Sequence, residues 1–219
     1  MKTASFIPIK ANSERVPGKN FRMLNGKKLY TYLCEHVQTA DVFDAVYVDT
    51  NSEEIAAYAR QMGFIPIQRR PELAQSSANG NDLLGYHRQL YPQYDYYFQL
   101  FVTAPYLQPG TIRTCVETLL SSEEYDSCFT VTKNHGFYWF HGMPINYRPG
   151  ILPRSQDLTP VMEETTGLYG IRGTSLERYR CRIGRKPYLH VVDAYEAVDI
   201  NTEEDLKVAE LIGKAIYGL

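Results

Sequence analysis

No run of about 18 apolar residues occurs in this chain, so nothing in it is suited to cross a bilayer as a helix. The first residues go directly into a strand-like pattern, without the long apolar region of a secretory leader. Cysteine is sparse: Cys34, Cys115, Cys128 and Cys181 are scattered, with no Cys-x-x-Cys pair. That argues against a disulfide framework or a zinc site, and gives the expectation of free thiols in a cytoplasmic protein. Excess positive charge is missing too. Lys and Arg number 23 against 25 Asp and Glu, a net charge of -2. A nucleic-acid binder rests on a basic surface, so that class is excluded. There are no internal repeats and no low-complexity linkers. At 219 residues, 44% hydrophobic and 22% charged, the chain reads as one globular domain over residues 1–219. Tyrosine is the residue in excess, at 18. It suits half-buried surfaces and interfaces, a pointer to an oligomer.

The most informative stretch lies at the start. Residues 5–9 are apolar and predict a buried strand. The loop behind them carries Lys10, Arg15 and Lys19, with small residues at Ala11 and Gly18 and a proline at Pro17. Small residues let the backbone approach phosphates, and cations spaced four to five apart suit a triphosphate. This is not a Walker loop, since no Gly-Lys-Ser/Thr closes it. Nor are the spaced glycines of a dinucleotide fingerprint present. The alternative is a plain solvated basic loop.

The rest of the chain alternates. Residues 29–38 predict a helix and 45–49 a strand. A helix with polar caps and early acids should follow from about 50 to 62 and stop at Gly63. Residues 64–68 predict a third strand, 81–90 a helix, and the aromatic run 96–101 a central buried strand. A helix over 109–121 and strands over 127–131 and 187–192 complete the pattern. Thr202 should cap a last helix, with Asp205 at its third position. Such alternation implies an α/β fold with a mostly parallel sheet. Ligands in these sheets bind outside the carboxyl ends of the strands. His135 and His141 flank the aromatic run Phe137, Tyr138, Trp139, Phe140. No third ligand stands near at metal spacing, so a packing role is expected there.

The ordered motif Lys10-x-x-Ser13-x-Arg15-x-Pro17-x-Lys19-Asn20 resembles the nucleotide-binding signature of the acylneuraminate and 3-deoxy-octulosonate cytidylyltransferases, which activate keto sugar acids with CTP. Lys10 stands where that family usually has Arg, and Glu14 where Lys is usual. Arg69-Arg70-Pro71-Glu72-Leu73-Ala74, with Ser76, Ser77 and Ala78, is similar to its second motif; alone it could be a surface turn. Phe101 to Leu107 matches a third at Thr103 and Pro105, with Phe101 and Leu107 replacing polar residues. Arg154-Ser155-Gln156, the Thr166-Gly167-Leu168-Tyr169 segment, and Asp199-Ile200-Asn201-Thr202 with Asp205-Leu206 complete the set, in matching order.

The resemblance implies a three-layer, Rossmann-like nucleotidyltransferase fold, with an excursion near residues 135–165 that forms a homodimer. It assigns catalysis to Lys19, Arg15 and Lys10. Nucleotide binding falls to Ala11, Asn12, Ser13, Asn20, Arg69 or Arg70, Ala78 and Gly80. Binding of a small acidic sugar falls to Thr103, Lys133, Arg154, Gln156 and Tyr169. Asp199 would hold Mg²⁺, and Asn201 replaces the family's second aspartate. On a strand, positions two apart face the same side, so both could reach one ion; alternatively Asp199 ends a strand and Asn201 opens a turn. Lys133 and Arg154 could equally be exposed surface cations. A related enzyme with a phosphonate or sugar-phosphate acceptor, and a non-catalytic nucleotide-binding homologue, are the competing readings.

Overall fold

The apolar opening forms strand β1, Thr3–Ile9, at the middle of a seven-stranded sheet. The structure, a computed structural model, describes residues 1–13, 15–75 and 77–219. Glu14 and Ser76, both named above, lie outside the described residues. After β1 come a short hairpin of β2 (Met23–Leu24) and β3 (Lys27–Lys28), then α1 (Leu29–Ala40), β4 (Ala45–Thr50), α2 (Glu53–Gln61), β5 (Ile65–Gln68) and α3 (Gly80–Leu90). The second half holds β6 (Tyr96–Leu100), α4 (Pro109–Ser121), β7 (Ser127–Asn134), the small hairpin β8 (Trp139–Phe140) and β9 (Met143–Pro144), β10 (Val161–Arg172), α5 (Gly173–Tyr179), β11 (Pro187–Val191) and α6 (Glu203–Ile216).

The strand order is β11-β7-β10-β6-β1-β4-β5. Six strands run in parallel, and β10 alone is antiparallel to both its neighbours. Alternation along β1 builds the layers. Ile7 and Ile9 enter a core with α1, α2 and α4, while Ala4 and Phe6 enter another with α3 and α5. Helices thus cover both faces, as the sequence implied, because a buried parallel sheet needs cover on each side. Local chemistry sets the helix ends. Ser52 accepts a hydrogen bond from the Ile55 amide at 3.4 Å at the start of α2, and Gly63 beyond its end takes φ 77°. Asn79 with Asp82, and Thr202 with Asp205, form capping boxes on α3 and α6.

From β1 the chain winds outward through β4 to β5, then returns to place β6 on the other side of β1. The loops leaving β1 and β6 therefore diverge at their carboxyl ends, the place where open α/β sheets form a crevice.

The sequence reading set out no strand for β10 or for the two short hairpins, and two further features differ from it. Helix α5 was not anticipated, since only seven residues form it. The strand expected over 127–131 extends to Asn134, because Val161 to Glu164 of β10 pair with Asn134 to Val131. The two strands leave the sheet as an arm carrying the loop 135–160.

Candidate active site

The crevice at the β1–β6 switch point is a cleft of about 390 Å³. Lys10, Ser13, Arg15, Lys19 and Asn20 of the loop after β1 line one side. Arg69, Gln75 and Ala78 line another, and Phe101 to Thr103, after β6, line a third. The loop's shape is held from within. The Asn20 side-chain amide donates to the Lys10 carbonyl at 2.8 Å, and the Ala11 amide donates to Asn51 Oδ1 at 2.8 Å. Gly18, at φ 62°, makes the turn that brings Lys19 back toward the cleft.

Two loop cations are tied to the far end of the sequence. Lys19 Nζ donates to the Ile200 carbonyl at 2.7 Å, and Arg15 Nη2 donates to Asn201 Oδ1 at 2.8 Å. Burial lowers the pKa of Lys19, and the neighbouring charges of Arg15 and Lys10 act the same way; Asp199 and Asp205 pull against them without cancelling the shift. Beside them, Asp199 Oδ2 accepts from Thr166 Oγ1 at 2.9 Å and from Asn201 Nδ2 at 2.5 Å. Its other oxygen, Oδ1, is buried without a hydrogen-bond partner among the described residues. A buried bare carboxylate oxygen is costly, and fits a hard cation completed by phosphates and waters. Asn201 is placed differently, with its carbonyl oxygen turned to Arg15. Among the described residues no group of three or more His, Cys, Asp or Glu is arranged to hold a metal, so the protein's own share would be small.

Arg69 enters the cleft wall from a buried ion network. Its Nε donates to Asp49 Oδ1 at 2.9 Å and its Nη2 to the Asp49 carbonyl at 3.0 Å, while His87 Nε2 lies 2.8 Å from Asp49 Oδ2. Arg70 is exposed, stacked over Tyr86 at 4.7 Å. Of the two adjacent arginines, Arg69 is the one at the cleft.

The comparisons with known proteins agree with this architecture. A cytidylyltransferase family profile matches residues 4–148. The chain belongs to the cytidylyltransferase family. It is 29% identical over 215 residues to N-acylneuraminate cytidylyltransferase A of Danio rerio, covering 94% of this chain and 50% of that protein. The chain thus spans about half the length of such relatives. It is 27% identical over 236 residues to pseudaminic acid cytidylyltransferase of Campylobacter jejuni, covering 98% of this chain and 97% of that one. A solved CMP:2-keto-3-deoxy-manno-octonic acid synthetase, in complex with CTP, superposes with a TM-score of 0.72 at 17% identity, over 97% of this chain and 98% of that one. It shows the nucleotidyltransferase fold.

Not every expected residue reaches the cleft of its own chain. Thr103 lines it, and its carbonyl accepts from the Ile200 amide at 2.8 Å. Asn12 is exposed, and Gly80 opens α3 behind Ala78. Tyr169 is buried, with its hydroxyl donating to Glu164 Oε2 at 2.6 Å; burial and then Glu164 push that phenol's pKa up. Lys133, Arg154 and Gln156 are exposed on the arm and its loop. The Arg154 side chain is 74% accessible and pairs with Asp157 at 2.6 Å. The packing expected around Phe137–Phe140 is met in part within the chain: Phe137 and Trp139 meet Tyr147 and Phe140 meets His141, while Trp139 and Phe140 stay 57% and 65% exposed. Sequence reasoning missed Asp49, His87, Gln99 and Arg182. Asp49, one residue before the end of β4, was placed by the sequence only at the ligand-binding edge of the sheet, not in an ion network; the others carry no motif signal.

Proposed function

We propose that this protein is a CMP-sugar synthetase, transferring CMP from CTP to a keto-deoxy sugar acid with release of pyrophosphate. The observation that carries it is the cleft at the switch point, lined by Lys10, Arg15, Lys19 and Arg69, with the bare Asp199 oxygen beside it. The anomeric hydroxyl oxygen of the acceptor attacks the α-phosphorus, the bond to the bridging oxygen breaks, pyrophosphate leaves, and the hydroxyl proton passes to solvent. Lys19 and Arg15 stabilise charge on the phosphates and Lys10 assists, so positioning and charge neutralisation do most of the work. Ser13, Ala78 and Arg69 would receive the nucleotide. Asp199 would hold Mg²⁺, with Asn201 turning it; when bound, the ion neutralises the triphosphate. Such chemistry draws on the cytoplasmic pool of nucleoside triphosphates.

The exposed apolar loop supports a homodimer. Trp139, Phe140, Met143, Ile151 and Leu152 form a patch costly to leave in water. Pairing there would also give Arg154, Gln156 and Lys133 a route to a cleft that their own chain does not offer.

Pyrophosphate release over a panel of nucleotides and acceptors tests the reading. Release with CTP and a 2-keto-3-deoxy sugar acid is expected. Release only with a phosphonate or sugar phosphate, or nucleotide binding without turnover, overturns it.

A further inference from the structure

Arg182 sits in the loop between α5 and β11, and its guanidinium lies over the Tyr169 ring at 3.5 Å from the centroid. Phe101, which lines the cleft, is its second aromatic neighbour at 5.5 Å. A built seat holds the group flat. Its Nη1 donates to Gln99 Oε1 at 3.3 Å, and Gln99 Nε2 in turn donates to the Gly80 carbonyl at 3.0 Å. The seat needs a glycine at 80, because a Cβ there would stand 2.3 Å from Arg182 Nη1. The amide of Arg182 donates to Asn81 Oδ1 at 2.9 Å, anchoring the backbone to the start of α3.

What this arrangement lacks is a counter-charge. Five of the fourteen arginines, among them Arg69 and Arg88, have a carboxylate within ion-pair distance. Among the described residues Arg182 has none, and its one side-chain hydrogen bond uses one of five guanidinium donors. Glu164, beside the same ring, accepts a hydrogen bond from the Tyr169 hydroxyl. Stacking on an aromatic face fixes the plane of a guanidinium and leaves its edge to make paired hydrogen bonds. Phe101 ties this cluster to the nucleotide cleft, and Tyr169 ties it to β10.

We propose that Arg182 is a specificity-determining residue that takes the carboxylate of the acceptor, a reading that rests on the proposed sugar-acid acceptor. Tyr169 and Gln99 are then positioning residues for that guanidinium. The exposed Arg154, paired with Asp157, is not needed for this grip within one chain.

The test uses the full chain with a non-hydrolysable CTP analogue. Two probes are titrated calorimetrically, N-acetylneuraminate and 2-keto-3-deoxy-octonate, each also as its neutral carboxamide. Wild type, Arg182→Met and Arg182→Lys are compared. Wild type is expected to bind an acid better than its carboxamide. Arg182→Met should weaken the acid by at least about tenfold, the loss of one charge-assisted contact. It should leave the carboxamide and the CTP analogue within threefold. Arg182→Lys should fall between, since it keeps the charge and loses the planar fork. Equal losses for acid and carboxamide, or undiminished acid binding in Arg182→Met, overturn the assignment while the proposed reaction stands. Wild type that binds the CTP analogue but neither acid overturns both.

Discussion

Replacing Asp49 with Asn should separate the cleft's support from its chemistry. The carboxylate is fully buried and holds two partners, Arg69 at 2.9 Å and His87 at 2.8 Å. Asn keeps the shape and removes the charge, leaving the Arg69 guanidinium buried without a counter-ion. Breaking one side of a buried pair costs about 3–5 kcal/mol. Against a total stability of about 5–15 kcal/mol that is a large fraction. For a chain of this size it lowers Tm by about 6–20 °C. Urea and thermal unfolding measure it directly. Because Arg69 lines the cleft, KM for CTP should rise in the same variant. Removing both charges as Asp49→Leu with Arg69→Met should restore part of the stability, since the buried His87 still loses its partner, and should not restore the nucleotide affinity. There is a pH signature as well. Burial alone would raise the Asp49 pKa, but the His87 hydrogen bond and the Arg69 charge outweigh it and hold it below 3.8. A depressed carboxylate contributes stability that is present above its unfolded pKa and lost as pH falls through the folded value. The wild type should therefore lose stability below about pH 4 more steeply than Asp49→Asn. A single variant within about 1 kcal/mol of wild type, or a double variant no better than the single, would refute the reasoning.

Lys19→Ala should lower kcat about a hundredfold or more, the usual loss for one donor to developing charge, while the urea midpoint moves little. Asp199→Asn should abolish magnesium-dependent turnover with an unchanged circular dichroism spectrum; retained activity would remove Asp199 from the mechanism. Asn201→Asp should lower the magnesium concentration needed for half-maximal rate, read from rate against magnesium. Trp139→Asp with Phe140→Asp should convert a dimer to a monomer by light scattering, and an unchanged mass would place the interface elsewhere.

Much of the fold was legible because its signals are local. Strand β6 reads from four apolar or aromatic positions broken only by Gln99, and all five residues are buried. The capping box at Thr202 and Asp205 is a four-residue pattern and is found where it was expected. The basic loop was legible for the same reason. What stayed hidden depends on contacts distant in sequence. Asp49 and His87 are 38 positions apart, Gln99 and Arg182 are 83 apart, and no spacing links them. The length of β7 was set by β10 across the sheet rather than by its own residues. The choice between Arg69 and Arg70 could not be made from composition, since tertiary contacts alone separate them, Arg69 with the buried Asp49 and Arg70 over Tyr86.

The residue pair at 199 and 201 gains a physical account from the geometry. Aspartates at both positions would put two negative charges beside Arg15 and Lys19. The second would pair charge to charge with Arg15 and draw it away from a triphosphate. Asn201 instead offers Arg15 a neutral oxygen at 2.8 Å, which fixes the guanidinium's direction without neutralising it. The other end of the same amide donates to Asp199 Oδ2 at 2.5 Å, and Thr166 adds a second donor there. With Oδ2 doubly bonded, the carboxylate cannot rotate freely, and Oδ1 is left as the bare atom. In the proposed reaction, one uncharged side chain would thus orient both a cation for the phosphates and a carboxylate oxygen for the metal. The cost falls on intrinsic affinity for the ion, since a single carboxylate attracts it less than two. The gain is an Arg15 charge that stays available to the nucleotide, so this arrangement suits a site where the triphosphate itself supplies most of the metal's ligands.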